Sequence, residues 1–332
     1  MEIAKLKFTS PLHLSKGKSG LDTSFDVLHS DTLKSALFVC ALELDLLRGD
    51  DAESFFKSFT ISSAFPFVGE ELFFPKPGWM PKSIEHNAQQ KGKNEIDRKK
   101  LKKIKYFSKK TFEQLLKGEL ISLNPTWVRE TKYYSEIDII EPFQSETVQR
   151  VVVSRNYDED GSDTFYTERL YFTEGCGLFF IIDMHDATQR NTIESALLLL
   201  GDNGIGSDKS VGNGQFEFKA FEPFVFEQTQ NPTKKISLSL FSPQKGEVND
   251  ETFLNDSAYS LIKRGGYIAS PDNFDNSTLR KKSITMFTEG AVFPTTKTLV
   301  GDIKDLKPDI PTVKHSIWRD GRALFLPYNL KS

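Results

Sequence analysis

The chain has 332 residues, 38% hydrophobic and 27% charged, with a formal net charge of −3 and a pI near 6.0. This is a globular balance, long enough for two domains, and it excludes a wholly basic nucleic-acid binder, so any contact with RNA has to use a local positive patch. Cys40 and Cys176 form no CxxC pair, which excludes a disulfide framework and a cysteine zinc site. With no apolar run near the ~18 residues of a membrane span, the expectation is a soluble, cytoplasmic protein.

In chain order, Ile3 to Phe8 alternate apolar and polar residues, the period of a half-buried strand. A Gly/Ser/Lys loop with Lys16 and Lys18 follows, and HSDTLKSAL reads as a helix start with Ser30 as N-cap and Asp31 in the first turn. Residues 65–81 mix Pro, Gly, Phe and Trp without period and read as short strands and turns of an irregular insertion. Lys91 to Lys110 is a basic run set around Leu101, Ile104, Tyr106 and Phe107; it suits a solvated helix face or phosphate contact, and its role stays open. A helix over Thr111–Lys117 comes next.

Val148–Ser154 and Thr164–Phe172 predict two strands around the turn DEDGSD. Leu178–Asp183 predicts a buried strand, Thr188–Leu200 a helix, and Phe216–Phe221 a strand. Lys235–Phe241, Tyr259–Ser270, Ser283–Phe287 and His315–Phe325 read as mostly strand with turns between. Each half starts with strand and soon enters helix, a pattern that allows two similar α+β modules.

Between the helix and the strand of the second half lie Gly201, Gly204, Gly206, Gly212 and Gly214, enclosing Lys209 and Ser210. Glycines at this density permit positive φ and close backbone approach, and an ammonium, a hydroxyl and successive N–H groups can meet phosphate oxygens. A P-loop is excluded, because Asp208 precedes Lys209 and the loop leads into a strand. A dinucleotide fingerprint is excluded too: Lys209 follows Gly206, and Glu217 follows Gly214, where its third glycine should stand. A plain mobile surface loop is the alternative.

The histidines His13, His29, His86, His185 and His315 are scattered and none has metal-ligand spacing. His29, Ser30 and Asp31 are a triad in letters only, since consecutive helical residues point in different directions. His29 as a general acid in RNA cleavage is the main enzymatic alternative.

Four stretches in register, KLKFTSPLHLSKGKSGLD with HSDTLKSAL, GDNGIGSDKSVGNGQF, KRGGYIAS and RKKSITMFTEGAVF, resemble the RAMP superfamily of CRISPR proteins. More narrowly, the chain is similar to the Csm subunit that caps the guide RNA at its 5′ handle in type III-A interference complexes. The resemblance implies an α+β fold of two ferredoxin-like, RRM-like modules with antiparallel sheets and irregular insertions, divided here as 1–145, with the basic insertion, and 146–332, with the glycine loop. It also implies a non-catalytic role without cofactor or metal, with guide RNA, the large polymerase-like subunit and a RAMP backbone subunit as partners, and neither a membrane nor a small-molecule substrate. A RAMP-type, metal-independent endoribonuclease that processes the guide RNA is the alternative.

A single-stranded handle is read by backbone contacts and splayed bases, which call for glycine-lined grooves, cations at the rim and a few aromatic groups. The candidate RNA-binding residues are Lys16, Lys18, His29 and Ser30 near the first helix, and Gly204, Gly206, Lys209, Ser210, Gly212, Asn213 and Gly214 in the loop. Arg264, Tyr267, Arg280 and Lys281 complete the set. Many relatives would carry Arg where Lys209 stands, and Lys makes a point-charge contact in place of a fork.

Overall fold

Alternation in the first strand is answered by cover on both faces of the sheet it joins. The computed structural model describes residues 1–15, 23–81, 84, 96–120, 122–153, 162–248, 250–268 and 279–330. The first elements are β1 (Glu2–Phe8), α1 (Ser30–Glu43), α2 (Ala52–Lys57), β2 (Phe59–Ile61), β3 (Phe65–Val68) and β4 (Glu71–Pro75). Next come α3 (Arg98–Lys103), β5 (Tyr106–Ser108), α4 (Lys109–Lys117), β6 (Val128–Arg129) and β7 (Tyr133–Tyr134). Then follow β8 (Phe143–Val153), β9 (Ser162–Phe172), β10 (Cys176–Met184), α5 (Arg190–Asn203), β11 (Phe216–Glu217) and β12 (Glu222–Pro223). The remainder holds β13 (Lys234–Ser237), α6 (Glu251–Asn255), β14 (Leu261–Arg264), β15 (Ile284–Phe287) and β16 (Val292–Pro294). The chain closes with β17 (Ile303–Asp305), β18 (Trp318–Asp320) and β19 (Phe325–Tyr328).

Ten strands form one sheet in the order β11-β1-β10-β3-β4-β5-β7-β6, with β12 also on β1 and β2 also on β10. All pairs are antiparallel except β5 with β7. The α+β class expected from the sequence holds. β1 and β10 pair with Ile3 opposite Ile181 and Leu6 opposite Leu178, so the sheet is built from both sides of residue 145. Ile3, Phe179 and Ile181 face a core shared with Phe74, Phe112, Ile236 and Tyr328. Ala4, Leu6, Leu178, Phe180 and Ile182 face the other core, under α1, α2 and α5. Cover on both faces explains why β10 reads as a continuous apolar run.

Three expectations change. Residues 65–81, read as short strands and turns of an irregular insertion, do hold two short strands, but these, β3 and β4, belong to the main sheet. Helix α1 is capped at His29, whose backbone is extended, and not at Ser30, which is already helical. The Ser30 Oγ instead accepts the Leu240 N–H at 3.0 Å, and the Ser30 N–H donates to the Ser63 Oγ at 2.8 Å. The strand predicted over Phe216–Phe221 is paired only at its start, as β11, and the chain pairs with β1 again just beyond it, as β12.

The basic run supplies core and surface at once. Leu101, Ile104, Tyr106 and Phe107 are buried, so its aromatics pack and do not stack on a ligand. Asp97 caps α3, and Lys105 and Lys110 pair with Asp26 and Glu136 at 2.7 and 2.6 Å. The phenylalanines serve the same end: Phe74 stacks on Phe112, and Phe241 lies against Phe287, Phe293 and Phe325. The predicted hairpin is present as β8 and β9, paired from Phe143–Phe172 to Val153–Ser162, with Phe143 and Leu170 rooted in the core.

Candidate nucleic-acid interface

The glycine loop is held mostly by its own chain. Gly204 and Gly214 have positive φ, and a Cβ on Gly214 would lie 1.9 Å from the Ile205 carbonyl oxygen. A Cβ on Gly206 would lie 2.5 Å from the His13 carbonyl, and one on Gly204 2.4 Å from the Asn213 carbonyl. These glycines therefore permit close approach of protein backbone, and at all three the space is filled. Gly212 differs: its φ is +80° and nothing lies within 4 Å of an added Cβ.

The tip, Lys209 to Gly212, is an exposed turn of 3-10 helix. It is tethered by Asp208, which is buried and pairs with Arg150 of β8 at 3.0 Å and Arg169 of β9 at 3.8 Å. Asn213 is buried beneath it. Lys209 and Ser210 are thus presented to solvent by a carboxylate clamp that the local sequence does not announce. Arg150→Ala should free this tip. We expect tryptic cleavage after Lys209 to rise about fivefold, matching about 1 kcal/mol for a partly exposed pair, with little change in the melting temperature.

At the other end of α1 the candidates join a buried ionic cluster. Asp31 is fully buried; the Arg264 Nε and Nη2 donate to its two oxygens at 2.9 and 3.1 Å, and the Arg319 Nη1 donates at 2.7 Å. Burial alone would raise the Asp31 carboxyl, but the two guanidinium charges outweigh it and hold the group well below the usual aspartate range. Lys281 lies partly buried beside them, and burial followed by the Arg319 charge pushes it down to about 7. Tyr267 and Arg280 sit on the opposite face of the same ribbon, both exposed, with the guanidinium 4.9 Å from the ring centroid.

His29 is buried, and its Nδ1 lies 2.8 Å from the Glu289 carboxylate, which Ser63 also contacts. Burial would raise Glu289, yet His29 and Ser63 hold it below the usual glutamate value. His29 and Ser30 are therefore internal links between α1 and later segments, with no surface to offer a ligand. Lys16 and Lys18 lie outside the described residues. The chain leading to them runs beside the loop, since Ser207 N–H donates to the His13 carbonyl at 3.0 Å.

Because Asn203 bonds Glu43 at 2.9 Å, the glycine loop starts at the C-terminal end of α1, and the Asp31 cluster lies at its start. A helix of 14 residues is about 20 Å long. The exposed candidates therefore form two groups: Lys209, Ser210 and Gly212 at one end, and Tyr267 and Arg280 with half-buried Lys281 and Arg264 at the other. Sequence reasoning missed Arg319, Glu289, Asp208 and Arg150, whose partners are far away in the chain. Among the described residues no group of His, Cys, Asp and Glu is placed to hold a metal, and no helix is long and apolar enough to cross a membrane.

Residues 230–328 match the model of the CRISPR Csm4 C-terminal domain. The chain is 25% identical to the protein named CRISPR system Cms protein Csm4 of Methanocaldococcus jannaschii, over 100% of this chain and 98% of that one. It is 26% identical to the protein of the same name from Streptococcus thermophilus, over 93% of each. In fold it is similar to the crystal structure of a Csm3-Csm4 subcomplex of the type III-A CRISPR-Cas interference complex, with a TM-score of 0.68, 22% identity, and cover of 99% of this chain and 100% of that one. It is also similar to a Csm1-Csm4 cassette in complex with cA4, with a TM-score of 0.61, 20% identity, and cover of 100% and 99%. The family match at the C-terminus and relatives of one name along the whole chain agree: residues 230–328 match the Csm4 C-terminal domain, and the chain as a whole is similar to Csm4, a RAMP-like CRISPR subunit.

Proposed function

We propose that the chain is a non-catalytic, cytoplasmic subunit of a type III-A CRISPR ribonucleoprotein. It holds the repeat-derived 5′ handle of the guide RNA and bridges the large polymerase-like subunit to the RAMP backbone. The relatives crystallised with Csm3 and with Csm1 support the two protein contacts. The observation that carries the RNA reading is the pair of exposed basic groups at the two ends of α1: Lys209 beside the open Gly212, and Arg280 and Tyr267 beside Gly266, where an added Cβ would make only ordinary contact with Lys281. Cations spaced along a path with an aromatic ring at one end suit a single strand.

The order β11/β12-β1-β10-β2/β3, with α1 and α5 packed on one face, supports reading the first ferredoxin-like module as residues 2–223. Residues 69–175 are then an insertion within it, and a second, more divergent module follows from β13. On this reading the division moves from residue 145 to the region after β12, because β10 and α5 complete the first sheet. The glycine loop then follows the last helix of the first module.

Purified protein should retain single-stranded repeat RNA uncut. Lys209→Ala should weaken binding across sequences alike and reduce the salt slope by about 0.7, the loss of one single-strand phosphate contact. Binding that ignores this change would point to a scaffold that meets only protein. The endoribonuclease reading needs an accessible His29, and metal-independent cleavage abolished by His29→Ala would overturn ours.

A further inference from the structure

The ribbon formed by residues 264–268 and 280–284 has two unlike faces. Tyr267 and Arg280 are bridged on one of them, and the backbone bond from Lys281 N–H to the Gly266 carbonyl, at 3.1 Å, fixes the pairing. The register shifts by one residue between this bridge and the Arg264–Ile284 pair, and Lys281 lies close enough to Arg319, Asp31 and Arg264, at the start of α1, for their charges to act on it. Gly266 has no side chain there, and the position a Cβ would take is 3.8 Å from the Lys281 Cε.

Among the described residues, charge on this inner face does not balance. Arg264, Arg319 and Lys281 face Asp31, while Glu289, the next carboxylate, is engaged by His29 and Ser63. Arg319 is 3% exposed, yet among the described residues its Nε has no hydrogen-bond partner. Among the described residues the Lys281 ammonium makes no ion pair. Buried cations in excess of their counter-charges are costly, and a lysine escapes that cost by losing its proton where an arginine cannot. Burial, followed by the Arg319 charge, accordingly lowers the Lys281 ammonium to about 7.

We propose that Lys281, backed by Arg264 and Arg319 over the N-terminal end of α1, is a phosphodiester-binding site that takes up a proton when the anion binds. This deepens the RNA reading and rests on it: Lys281 contacts one backbone phosphate, and the Tyr267–Arg280 face receives the neighbouring nucleotide. The helix N-terminus adds its partial positive charge on the same side. Arg264 and Arg319 are positioning residues, held by Asp31, and Lys281 is the contact. The other titratable groups facing the site are His29 and Glu289.

The test is titration calorimetry of the full chain with a short single-stranded oligoribonucleotide at pH 7, in buffers of different ionisation enthalpy. Wild type should take up a fraction of a proton on binding, and its affinity should fall about tenfold from pH 6 to pH 8, because an unprotonated Lys281 must first be charged. Lys281→Arg should keep the affinity measured at pH 6 and lose both the proton uptake and the pH dependence, since arginine stays charged. Lys281→Met removes a charge that burial disfavours, so it should fold as stably as wild type while binding weakly at every pH. An uncharged methylphosphonate oligonucleotide should show no proton uptake. Unchanged binding by Lys281→Met, or undiminished proton uptake in Lys281→Arg, overturns this site and leaves the RNA reading standing. Wild type that fails to bind the oligoribonucleotide overturns both.

Discussion

Asp31→Ala is expected to lower the unfolding free energy by about 3–5 kcal/mol, because it leaves two buried guanidinium groups facing each other without their shared carboxylate. Asp31 is 0% exposed, and both of its partners arrive from far along the chain, on β14 and β18. Chemical denaturation measures the loss, and a change below about 1 kcal/mol would show that water reaches the cluster and screens it. Replacing Asp31, Arg264 and Arg319 together by apolar residues of similar volume should cost much less than Asp31→Ala alone, since no orphaned charge remains. The pH dependence follows from the lowered carboxyl. Its folded-state value lies below the unfolded one, so the stabilisation is fully present above about pH 4 and is lost progressively as the pH falls towards the folded-state value. Asp31→Asn should therefore unfold with a flatter acid limb than wild type.

Gly214→Ala should destabilise the chain by about 3 kcal/mol or more, whereas Gly212→Ala should cost about 1 kcal/mol, the ordinary penalty of a left-handed backbone. The difference lies in the neighbours. A Cβ at Gly214 meets the backbone of Ile205, which cannot rotate away, while one at Gly212 meets open solvent. Thermal and denaturant unfolding of the two variants separates these cases, and equal losses would mean that the loop relaxes freely. From the glycine pattern alone, Gly206→Val and Gly212→Val would both be expected to spare the fold and impair RNA loading. Only Gly212 keeps that status, because Gly206 lies against the His13 carbonyl.

These two variants also show where sequence reasoning reached its limit. The start of α1, the hairpin of β8 and β9, the buried strand β10, and the glycine loop between a helix and a strand were all legible, since each is announced by local periodicity or by glycine. Three of the later strands were placed correctly but drawn too long, while His315–Phe325 holds β18 and only the first residue of β19. Lys235–Phe241, for instance, shrinks to Lys234–Ser237, as apolar residues continue into the core after ladder pairing ends. Strands β5 to β7 were not legible, because two- and three-residue strands buried among aromatics carry too little alternation.

Within the candidate site, the exposed cations were legible as residue types in glycine-rich company. Their loyalties were not. Arg264 reads as a free guanidinium beside two glycines, and the structure gives it to Asp31, 233 positions away. His29 reads as a neutral-pH acid, and the structure closes it against Glu289, 260 positions away. The sequence by itself determined the class of fold, the family resemblance and the existence of a glycine loop with a lysine at its tip, because these are short-range patterns. Tertiary structure alone decided which glycines face solvent and which charges are already paired among the described residues, because burial and ion pairing depend on segments that meet only after the sheet has closed.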